Sequence, residues 1–477
     1  MGNVIWDHFF SIQLLVVHGL GVLNAIHAAL KVRTPQAAVG WALALVAFPY
    51  FAIPIYWIFG RAKFIGYRTA TTDGAGPLHS AAQQAAAGAE PFAIDSEDAG
   101  GIGRHRKLVT TLPATHSNHV ELLIDGDATF EAIFAAMDSA TEYLLVQFFI
   151  VHDDILGRQF QQRLIERARA GVNVYFLYDE VGCHSLPRKW LRTLCDKGVR
   201  VEGFKTTRGS GNRFQLNFRN HRKLVIADGR EALTGGLNVG DEYLGRSERF
   251  GPWRDTHVRV RGPAVQAAQL AFVEDWYWAT DEVPDLNWTT VPADADQHVT
   301  VLATGPADSA ERCSFAFIRA VNSAQKRLWI SSPYFVPDAT VLTALQLAAL
   351  RGVEVRILLP SRADHIFPML SSYSYYESLA SAGIELWRYQ PGFLHQKALL
   401  VDDHLAAVGS INVDYRSFPL NFELVVMVND LTFARQVDAM MQADFARSRR
   451  VDLAEYSARP WWFKAAVRLS RLLSPVQ

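Results

Sequence analysis

One short pattern occurs twice in this chain, and its repetition limits the possible folds more than any other feature. In "NHRKLVIAD" a histidine, a lysine and an aspartate follow the spacing H-x-K-x(4)-D, and "HQKALLVDD" repeats it about 174 residues later. A glycine and an asparagine follow each histidine at the same two distances, so the chain contains a duplicated unit. The matching residues are His221, Lys223, Asp228, Gly235 and Asn238 in the first copy and His395, Lys397, Asp402, Gly409 and Asn412 in the second.

The pattern predicts a β-strand in each copy. Side chains two residues apart share one face of a strand, so each histidine and lysine point the same way. Apolar runs separated by helix-length segments precede both copies, "YLLVQFFI" and "GVNVYFLYDE" before the first, "RLWISSPYF" and "GVEVRILLP" before the second. A single H-x-K is more simply an edge strand with two solvated cations. Its repetition in a matching α/β context favours two units that meet across a pseudo-twofold interface and share one site.

The paired elements resemble the signature of the phospholipase D superfamily, and the resemblance extends over residues 118 to 450. Several stretches are similar to bacterial cardiolipin synthases in particular. They are "NHRKLVIADGREALTGGLNVGDEYLG", "WRDTHVRVRGPAV", "SSPYFVPD", "PGFLHQKALLVDD" and "GSINVDYRSFPLNFEL". The resemblance implies an α/β fold of two tandem phospholipase D-like units, each a mixed β-sheet flanked by helices.

Phosphodiester exchange explains why such a site needs these residue types. A phosphodiester is an anion, so Lys223 and Lys397 would supply positive charge, and the amides of Asn238 and Asn412 would donate hydrogen bonds to its oxygens. One neutral imidazole can attack phosphorus while the other, protonated, donates to the departing alkoxide. No metal and no other cofactor is expected.

The resemblance assigns the nucleophile to His221 and the acid/base role to His395, although the near-symmetry of the motifs leaves the order open. It also implies that Asp255 in "WRDTH" and Glu423 in "NFEL" orient the imidazoles, without saying which acid serves which histidine.

Asp228 and Asp402 belong to the catalytic signature but stand at the far ends of their strands. We therefore expect both carboxylates to hold a turn.

Composition gives no sign of a nucleic-acid binder. The formal net charge is −1 and the isoelectric point is near 7, so the chain has no overall basic field. Cys183, Cys195 and Cys313 have neither a disulfide-framework nor a zinc spacing. A catalytic portion on the reducing, cytoplasmic side of a membrane is the simplest interpretation.

The N-terminal region predicts a membrane hairpin over residues 1–68, with spans at about 9–30 and 37–60. Both segments lack Asp, Glu, Lys and Arg, and both are long enough to cross a hydrocarbon core of about 30 Å. A cleaved signal peptide should begin with a basic region, whereas this chain has Asp7. Pro49 and Pro54 should kink the second span, which leaves a re-entrant hairpin open.

By the positive-inside rule, the basic residues around the spans favour a catalytic portion on the cytoplasmic side. The expected protein is a multi-pass protein of the bacterial inner membrane. Residues 69–112, rich in small and polar residues, predict a flexible linker. The two phospholipase D-like units are then expected at 113–288 and 289–455.

The C-terminal segment 456–477 predicts a basic amphipathic helix. Its apolar side is Trp462, Ala466, Leu469 and Leu473, and its basic side is Lys464, Arg468 and Arg471. Two interpretations stay open, namely an interfacial membrane contact and packing on the second unit.

The function implied by the resemblance is transfer of a phosphatidyl group between two phosphatidylglycerol molecules, giving cardiolipin and glycerol. The expected partners are phosphatidylglycerol, cardiolipin and the bilayer, with no nucleic acid. A hydrolytic phospholipase D, another phosphatidyltransferase or a nuclease would use the same motifs, and a nuclease should also show a basic groove with stacking aromatics. A non-catalytic membrane scaffold would have no reason to keep both motifs in register.

Overall fold

A computed structural model describes most of the chain, and it divides into two compact units. The described residues are 2–32, 34–60, 63–73, 76–94, 110–209, 212, 215, 217–308 and 310–474. The smaller unit comprises Met1–Thr69 with Thr206–Phe218, and the larger unit comprises Ala70–Lys205 with Arg219–Gln477. Each is described by itself below.

Helices dominate the smaller unit. The helices up to residue 73 are α1 (Gly2–Lys31), α2 (Pro35–Ala47), α3 (Pro49–Phe59) and α4 (Ile65–Asp73). Small residues let α1 pack closely on α2 and α3, with Ala28 and Leu45 fully buried between them. His27 is bonded to a neighbouring helix, because its Nδ1 lies 2.7 Å from the hydroxyl of Tyr56.

Among the described residues, one helix is long and apolar enough to cross a membrane, and it is Ser11–Lys31 within α1. The predicted second span at 37–60 is not confirmed. Pro49 has no backbone N–H to continue a helix, so α2 ends at Ala47, and α3 starts again at Pro49. With thirteen and eleven residues, each is shorter than the hydrocarbon core. A two-span topology is therefore not supported.

The larger unit is mixed α/β, as predicted. The strands of its first half (residues 113–288) are β1 (Thr115–Ile124), β2 (Tyr143–Phe148), β3 (Asn173–Asp179), β4 (Arg200–Phe204), β5 (Arg219–Asn220), β6 (Leu224–Ala227), β7 (Glu231–Gly235), β8 (Trp253–Arg254) and β9 (Thr256–Arg261). Those of its second half (residues 289–455) are β10 (Gln297–Thr304), β11 (Arg327–Ser331), β12 (Phe335–Val336), β13 (Glu354–Pro360), β14 (Glu385–Tyr389), β15 (Phe393–Leu394), β16 (Ala398–Val401), β17 (Leu405–Gly409), β18 (Val413–Asp414), β19 (Asn421–Asn429) and β20 (Ser448–Arg450).

The helices of the larger unit pack on its strands and on one another. They are α5 (Gly76–Ala89), α6 (Asp125–Ser139), α7 (Ile155–Arg169), α8 (Arg188–Asp196), α9 (Val265–Thr280), α10 (Arg312–Ser323), α11 (Ala339–Leu350), α12 (Ile366–Tyr373), α13 (Tyr376–Ser381), α14 (Leu431–Ala446), α15 (Leu453–Ser457) and α16 (Trp461–Leu472), with short 3-10 turns at Glu90–Phe92 and Asp241–Leu244. The first half is packed around residues such as Phe160 and Phe176, and the second around Leu345 and Ile357.

One sheet passes through both halves, in the order β20-β14-β13-β11-β16-β17-β19-β10-β1-β9-β7-β6-β2-β3-β4. From the antiparallel β1–β10 pair outward, β9, β7, β6, β2, β3 and β4 on one side match β19, β17, β16, β11, β13 and β14 on the other. The outer strands β2, β3, β4 and β11, β13, β14 are parallel, whereas the inner ones are antiparallel. The halves are thus joined in one sheet instead of forming two separate sheets.

The predicted flexible linker at 69–112 is wrong over part of its length. Residues 76–89 form α5, and Leu78 and Ala85 pack in one cluster with Leu270 and Val273 of α9. Alanine has the highest helix propensity, and the buried positions recur at helical spacing, so composition that looks like a linker forms a docked helix. Residues 95–109 of the predicted linker lie outside the described residues.

Candidate active site

Each half holds the histidine segment of the other half. Strand β5, which leads into His221, pairs in parallel with the start of β19, and β15, which leads into His395, pairs in parallel with β8. The His221 N–H donates to the carbonyl of Phe422 at 2.9 Å, and the His395 N–H donates to the carbonyl of Arg254 at 2.8 Å. These reciprocal pairings fix both histidines at the junction of the two halves.

The side chain of His221 contacts an acid from the second half. Its Nδ1 lies 3.0 Å from Oε2 of Glu423 and 3.1 Å from the carbonyl oxygen of Ser410. The imidazole also meets the ring of Phe149 edge to face, with 5.0 Å between centroids. Glu423 is completely buried, so this contact is made away from bulk water.

The side chain of His395 contacts an acid from the first half. Its Nδ1 lies 2.7 Å from Oδ2 of Asp255, which is also completely buried. The rings of Trp253 and Phe393 pack against it, at centroid distances of 5.2 and 5.9 Å. The pairing that the sequence left open is therefore crossed, because each predicted orienting acid contacts the histidine of the opposite half.

Both acids have partners that favour their ionised form. Burial alone would raise the pKa of Glu423, but His221 and the hydroxyl of Ser410, which donates to Oε2 at 2.5 Å, keep that pKa below its ordinary value. Burial likewise opposes the charge of Asp255, but Lys397 and His395 lower its pKa, and the N–H of Thr256 donates to it at 2.8 Å. Two buried carboxylates are thus available to imidazole Nδ1–H groups.

The lysines lie beside the histidines but are strongly dehydrated. Lys223 Nζ donates to the carbonyl of His221 at 2.7 Å, and Lys397 Nζ lies 3.1 Å from Nε2 of His395. Burial lowers the pKa of Lys397 to about 8 and that of Lys223 well below its usual range.

Burial also lowers the pKa of both histidines, that of His221 to about 4. An anion bound among these four groups would raise all four pKa values, since it favours their charged forms. The site is therefore electrostatically suited to an anionic ligand.

The two predicted phosphate-binding asparagines differ in their contacts. The side-chain oxygen of Asn238 accepts from the N–H of Ile150 at 3.1 Å, and its amide nitrogen donates to the hydroxyl of Tyr243 at 3.3 Å. Asn412 is buried, and within the described residues its side-chain oxygen has no hydrogen-bond partner. That oxygen can only accept a hydrogen bond, so it suits a hydroxyl of a ligand and not a phosphoryl oxygen.

The signature aspartates lie at turns and bind backbone. Asp228 accepts from the N–H groups of Thr141, Glu142 and Tyr143 at 2.8 to 2.9 Å, and Asp402 accepts from those of residues 325–327 at 2.8 to 3.3 Å. Both aspartates have a positive φ, 52° and 49°. The expectation that they hold turns is confirmed by these contacts.

A layer of buried ion pairs supports the site, and the sequence reasoning did not find it. Arg222 Nη1 donates to Asp275 of α9 at 2.8 Å, and Nε and Nη2 of Arg254 donate to the two oxygens of Asp444 of α14 at 2.8 to 3.0 Å. Gln396, which stands where the first copy has Arg222, donates to Asp444 at 3.2 Å. The sequence does contain a signal for these two aspartates. Each lies about twenty positions after an orienting acid, and each is followed directly by an aromatic residue.

Comparisons with known proteins give matches along most of the chain. A family model described as "Cardiolipin synthase, PLD-like domain" matches residues 133–249 and 317–445. Cardiolipin synthase A of Pseudomonas entomophila (strain L48) is 44% identical over 474 residues, covering 98% of this chain and 98% of that protein. Cardiolipin synthase A of Pseudomonas aeruginosa (strain LESB58) is 45% identical over 476 residues, covering 98% of this chain and 96% of that protein.

A solved structure, that of phosphatidylserine synthase from Haemophilus influenzae Rd KW20, is similar in fold. It aligns with a TM-score of 0.59 and 14% identity, covering 75% of this chain and 95% of that chain. Both H-x-K elements lie inside the segments that the family model matches, and the curated relatives extend along nearly the whole length. This chain belongs to the cardiolipin synthase family of the phospholipase D superfamily.

Proposed function

We propose that the chain transfers a phosphatidyl group from one phosphatidylglycerol to another, making cardiolipin and glycerol through a covalent phosphatidyl-histidine. The curated relatives, which are named cardiolipin synthase A, support this reaction. The observation that carries the chemistry is the crossed pair of contacts, His221 with Glu423 and His395 with Asp255. A single active site then needs both halves, related as an approximate twofold pair.

The contact of each Nδ1 with a buried carboxylate supports Nε2 as the reactive nitrogen of each imidazole. When Nδ1–H donates to a carboxylate, the neutral ring keeps its lone pair on Nε2. Burial lowers the pKa of both imidazoles, that of His221 to about 4, so the resemblance to the family and not this shift assigns the nucleophile to His221. His395 is the acid/base partner, and a bound phosphodiester raises the pKa of its imidazole toward the protonated form.

The reaction proceeds in two displacements at phosphorus. His221 Nε2 forms a bond to phosphorus, the bond from phosphorus to the glycerol oxygen breaks, and protonated His395 gives its proton to the leaving glycerol. Neutral His395 then takes the proton from a hydroxyl of the second phosphatidylglycerol. The resulting oxygen attacks phosphorus, the phosphorus–nitrogen bond breaks, and cardiolipin and the free enzyme are formed.

Positive charge and amide donors stabilise the phosphoryl oxygens during both steps. Lys223 and Lys397 are buried beside the histidines, where charge–charge interactions are stronger than in water, and the amide N–H groups of the buried Asn412 would donate to the same oxygens. Asn238 also contributes when its amide nitrogen releases the hydroxyl of Tyr243 and donates a hydrogen bond to the substrate instead.

The reaction takes place at the bacterial inner membrane, with the catalytic portion on the cytoplasmic side. The apolar length of residues 11–31 supports membrane association. The cytoplasmic orientation is tested by labelling Cys195 with an impermeant reagent in cells and in inverted vesicles. Cys195 is exposed, so we expect labelling only in the inverted vesicles.

The function is tested with the purified full chain in proteoliposomes that contain phosphatidylglycerol. Cardiolipin, glycerol and phosphatidic acid are measured together, with His221→Ala as the inactive control. We expect cardiolipin and glycerol in equal amounts, with little phosphatidic acid and no effect of EDTA when the lipid phase is held constant. Phosphatidic acid without cardiolipin would instead identify a hydrolytic phospholipase D, in which water takes the place of the second lipid.

A further inference from the structure

The C-terminal helix α16 packs on the larger unit by a different stripe from the one its sequence suggests. The buried or half-buried stripe contains Phe463, Val467 and Ser470, which recur at helical spacing. The hydroxyl of Ser470 donates to the carbonyl of Phe367 at 2.8 Å and lies 2.9 Å from the hydroxyl of Ser371, so α16 is fixed on α12. The packing alternative raised by the sequence is therefore realised, but it leaves the predicted apolar stripe uncovered.

That uncovered stripe forms an exposed apolar surface together with the beginning of α12. We call it the α12–α16 surface. Its main residues and their exposed fractions are Ile366 61%, Phe367 53%, Trp461 80%, Trp462 60%, Leu469 64% and Leu472 75%. Isolated exposed apolar residues are normal, but several large ones on one helix, including adjacent tryptophans, indicate a binding surface.

Cations border the apolar arc of α16 on the side away from Trp462. At 100° per residue, Lys464, Arg468 and Arg471 fall between the packed stripe and Trp461. Arg468 is exposed, and Lys464 is half-buried. Apolar residues beside basic residues, with tryptophans at the edge, are typical of a helix that lies in the plane of a membrane interface.

The α12–α16 surface begins next to the active site. Helix α12 follows immediately after Asp364 and His365, and the hydroxyl of Tyr334 donates to the carboxylate of Asp364. The charge of Asp364 acts on both His395 and Lys397 and favours their protonated forms. A surface that starts at this position therefore lies within electrostatic range of His395 and Lys397.

We propose that the α12–α16 surface docks on a bilayer that contains anionic phospholipid and so presents the active site to its lipid substrates. Charge complementarity selects this occupant, because the cations beside the apolar arc suit anionic headgroups, whereas a protein partner would need an acidic surface of matching shape. The surface is a second membrane contact in addition to α1, and it does not depend on which phosphatidyl acceptor the enzyme uses.

Spin labels on the full chain in proteoliposomes test the contact directly. In a Cys195→Ser background, one label is placed at Leu472→Cys and a matched control label at Leu350→Cys, an equally exposed leucine (71%) at the C-terminal end of α11. We expect the label at 472 to collide more with oxygen than with a water-soluble nickel complex, and the label at 350 to do the reverse. A water-accessible label at 472, or one shielded from both reagents as in a protein–protein contact, would overturn the proposal.

Removal of charge gives a second measurement. Lys464→Gln with Arg468→Gln is compared with Arg169→Gln and Arg435→Gln, two exposed cations on α7 and α14 that lie outside the α12–α16 surface. Each cation near an anionic leaflet changes binding about fivefold. We therefore expect the first pair to raise severalfold the anionic-lipid fraction at which the label at 472 enters the bilayer, with no change for the second pair. Equal behaviour of the two pairs would count against the proposal.

The label measurement also separates this inference from the proposed reaction. Burial of the label at 472 needs no turnover, so it is measured equally well if the enzyme hydrolyses lipid. Conversely, if cardiolipin forms while the label at 472 stays exposed to water, the proposed reaction is supported and the proposed docking surface is wrong.

Discussion

The two halves carry the same signature, yet they surround their histidines differently. His221 contacts the longer acid, Glu423, and the Ser410 hydroxyl donates to that acid. His395 contacts the shorter acid, Asp255, and the position that matches Ser410 is Gly236. A Cβ at Gly236 would lie 1.9 Å from Asp255, so no side chain fits there. The duplication thus supplies equivalent backbones, and the acids and their neighbours make the two imidazoles chemically distinct.

A second difference concerns the residue that lies opposite the repeated glycine on the neighbouring strand. Gly235 of β7 is opposite His257 of β9, whereas Gly409 of β17 is opposite Val425 of β19. His257 is buried, which lowers its pKa to about 3, and its Nδ1 accepts from the N–H of Leu237 at 3.3 Å. In the second half a small apolar cavity of about 70 Å³ borders Lys397 and Val425 instead. Two halves with the same motif can therefore perform different steps.

The largest expected effect is common to both halves. His221→Ala and His395→Ala should each reduce transfer by about a thousandfold or more, on the order of 4 kcal/mol, because each imidazole takes part in bond making or breaking. Cardiolipin formation in proteoliposomes measures this, with His184→Ala, an exposed histidine, as the control. Activity within about tenfold of the parent for either variant would break the two-histidine mechanism. Trapping of phosphorylated histidine at 395 instead of 221 would exchange the two roles.

The acids should distinguish the halves. Loss of a hydrogen bond to a charged group costs about 1.5 to 3 kcal/mol, so Glu423→Gln and Asp255→Asn should each slow transfer on the order of 10- to 100-fold. Glu423 raises the pKa of His221 and Asp255 raises that of His395. Neutralising either acid therefore lowers the pKa of its own histidine.

The pH profile of kcat/KM shows whether the acidic or the basic limb shifts in each of these two variants. With neutral His221 as nucleophile and protonated His395 as acid, Glu423→Gln should shift the acidic limb to lower pH, and Asp255→Asn should shift the basic limb to lower pH. Because the two imidazoles titrate as a coupled pair, the limbs are compared between variants and not read as single residues. Shifts of the opposite limbs would mean that the roles are reversed.

Substitution of the signature aspartates should change the rate least, and the effects should be nearly equal in the two halves. Asp228→Asn and Asp402→Asn each weaken hydrogen bonds from backbone amides to a carboxylate, so each should cost about 1.5 to 3 kcal/mol of stability while leaving the rate at low temperature within a few-fold. Although burial opposes the charge, these amides hold the pKa of both carboxyls below the ordinary value.

The pH dependence of this stability follows from the sign of the shift. A lowered pKa in the folded state means that the contribution is present above the unfolded pKa of about 3.9 and is lost as the pH falls through the folded value. Melting temperatures of the parent and both variants should therefore differ at pH 7 and converge in acid. A thousandfold loss of rate with normal stability would instead give these aspartates a direct part in the chemistry.

Much of the site was predictable because a tandem repeat is visible in the chain itself. Spacing and strand alternation identified both H-x-K elements, both asparagines and both turn aspartates, and the resemblance added Asp255 and Glu423. The layer that contains Asp275 and Asp444 was missed, since a lone aspartate in a helix looks like a solvated residue until its burial is known. The break at Pro49 was foreseen only as a kink.

The sequence by itself determined the duplication, the mixed α/β class and the apolar character of α1, because these follow from residue order and from the periods of strand and helix. Only the tertiary structure decided which acid meets which histidine, since the partners are 202 and 140 positions apart. It also decided which face of α16 is covered. Amphipathic periodicity identifies the apolar and basic faces of a helix. Which face is buried depends on the shape of the surface that α12 and its neighbours present.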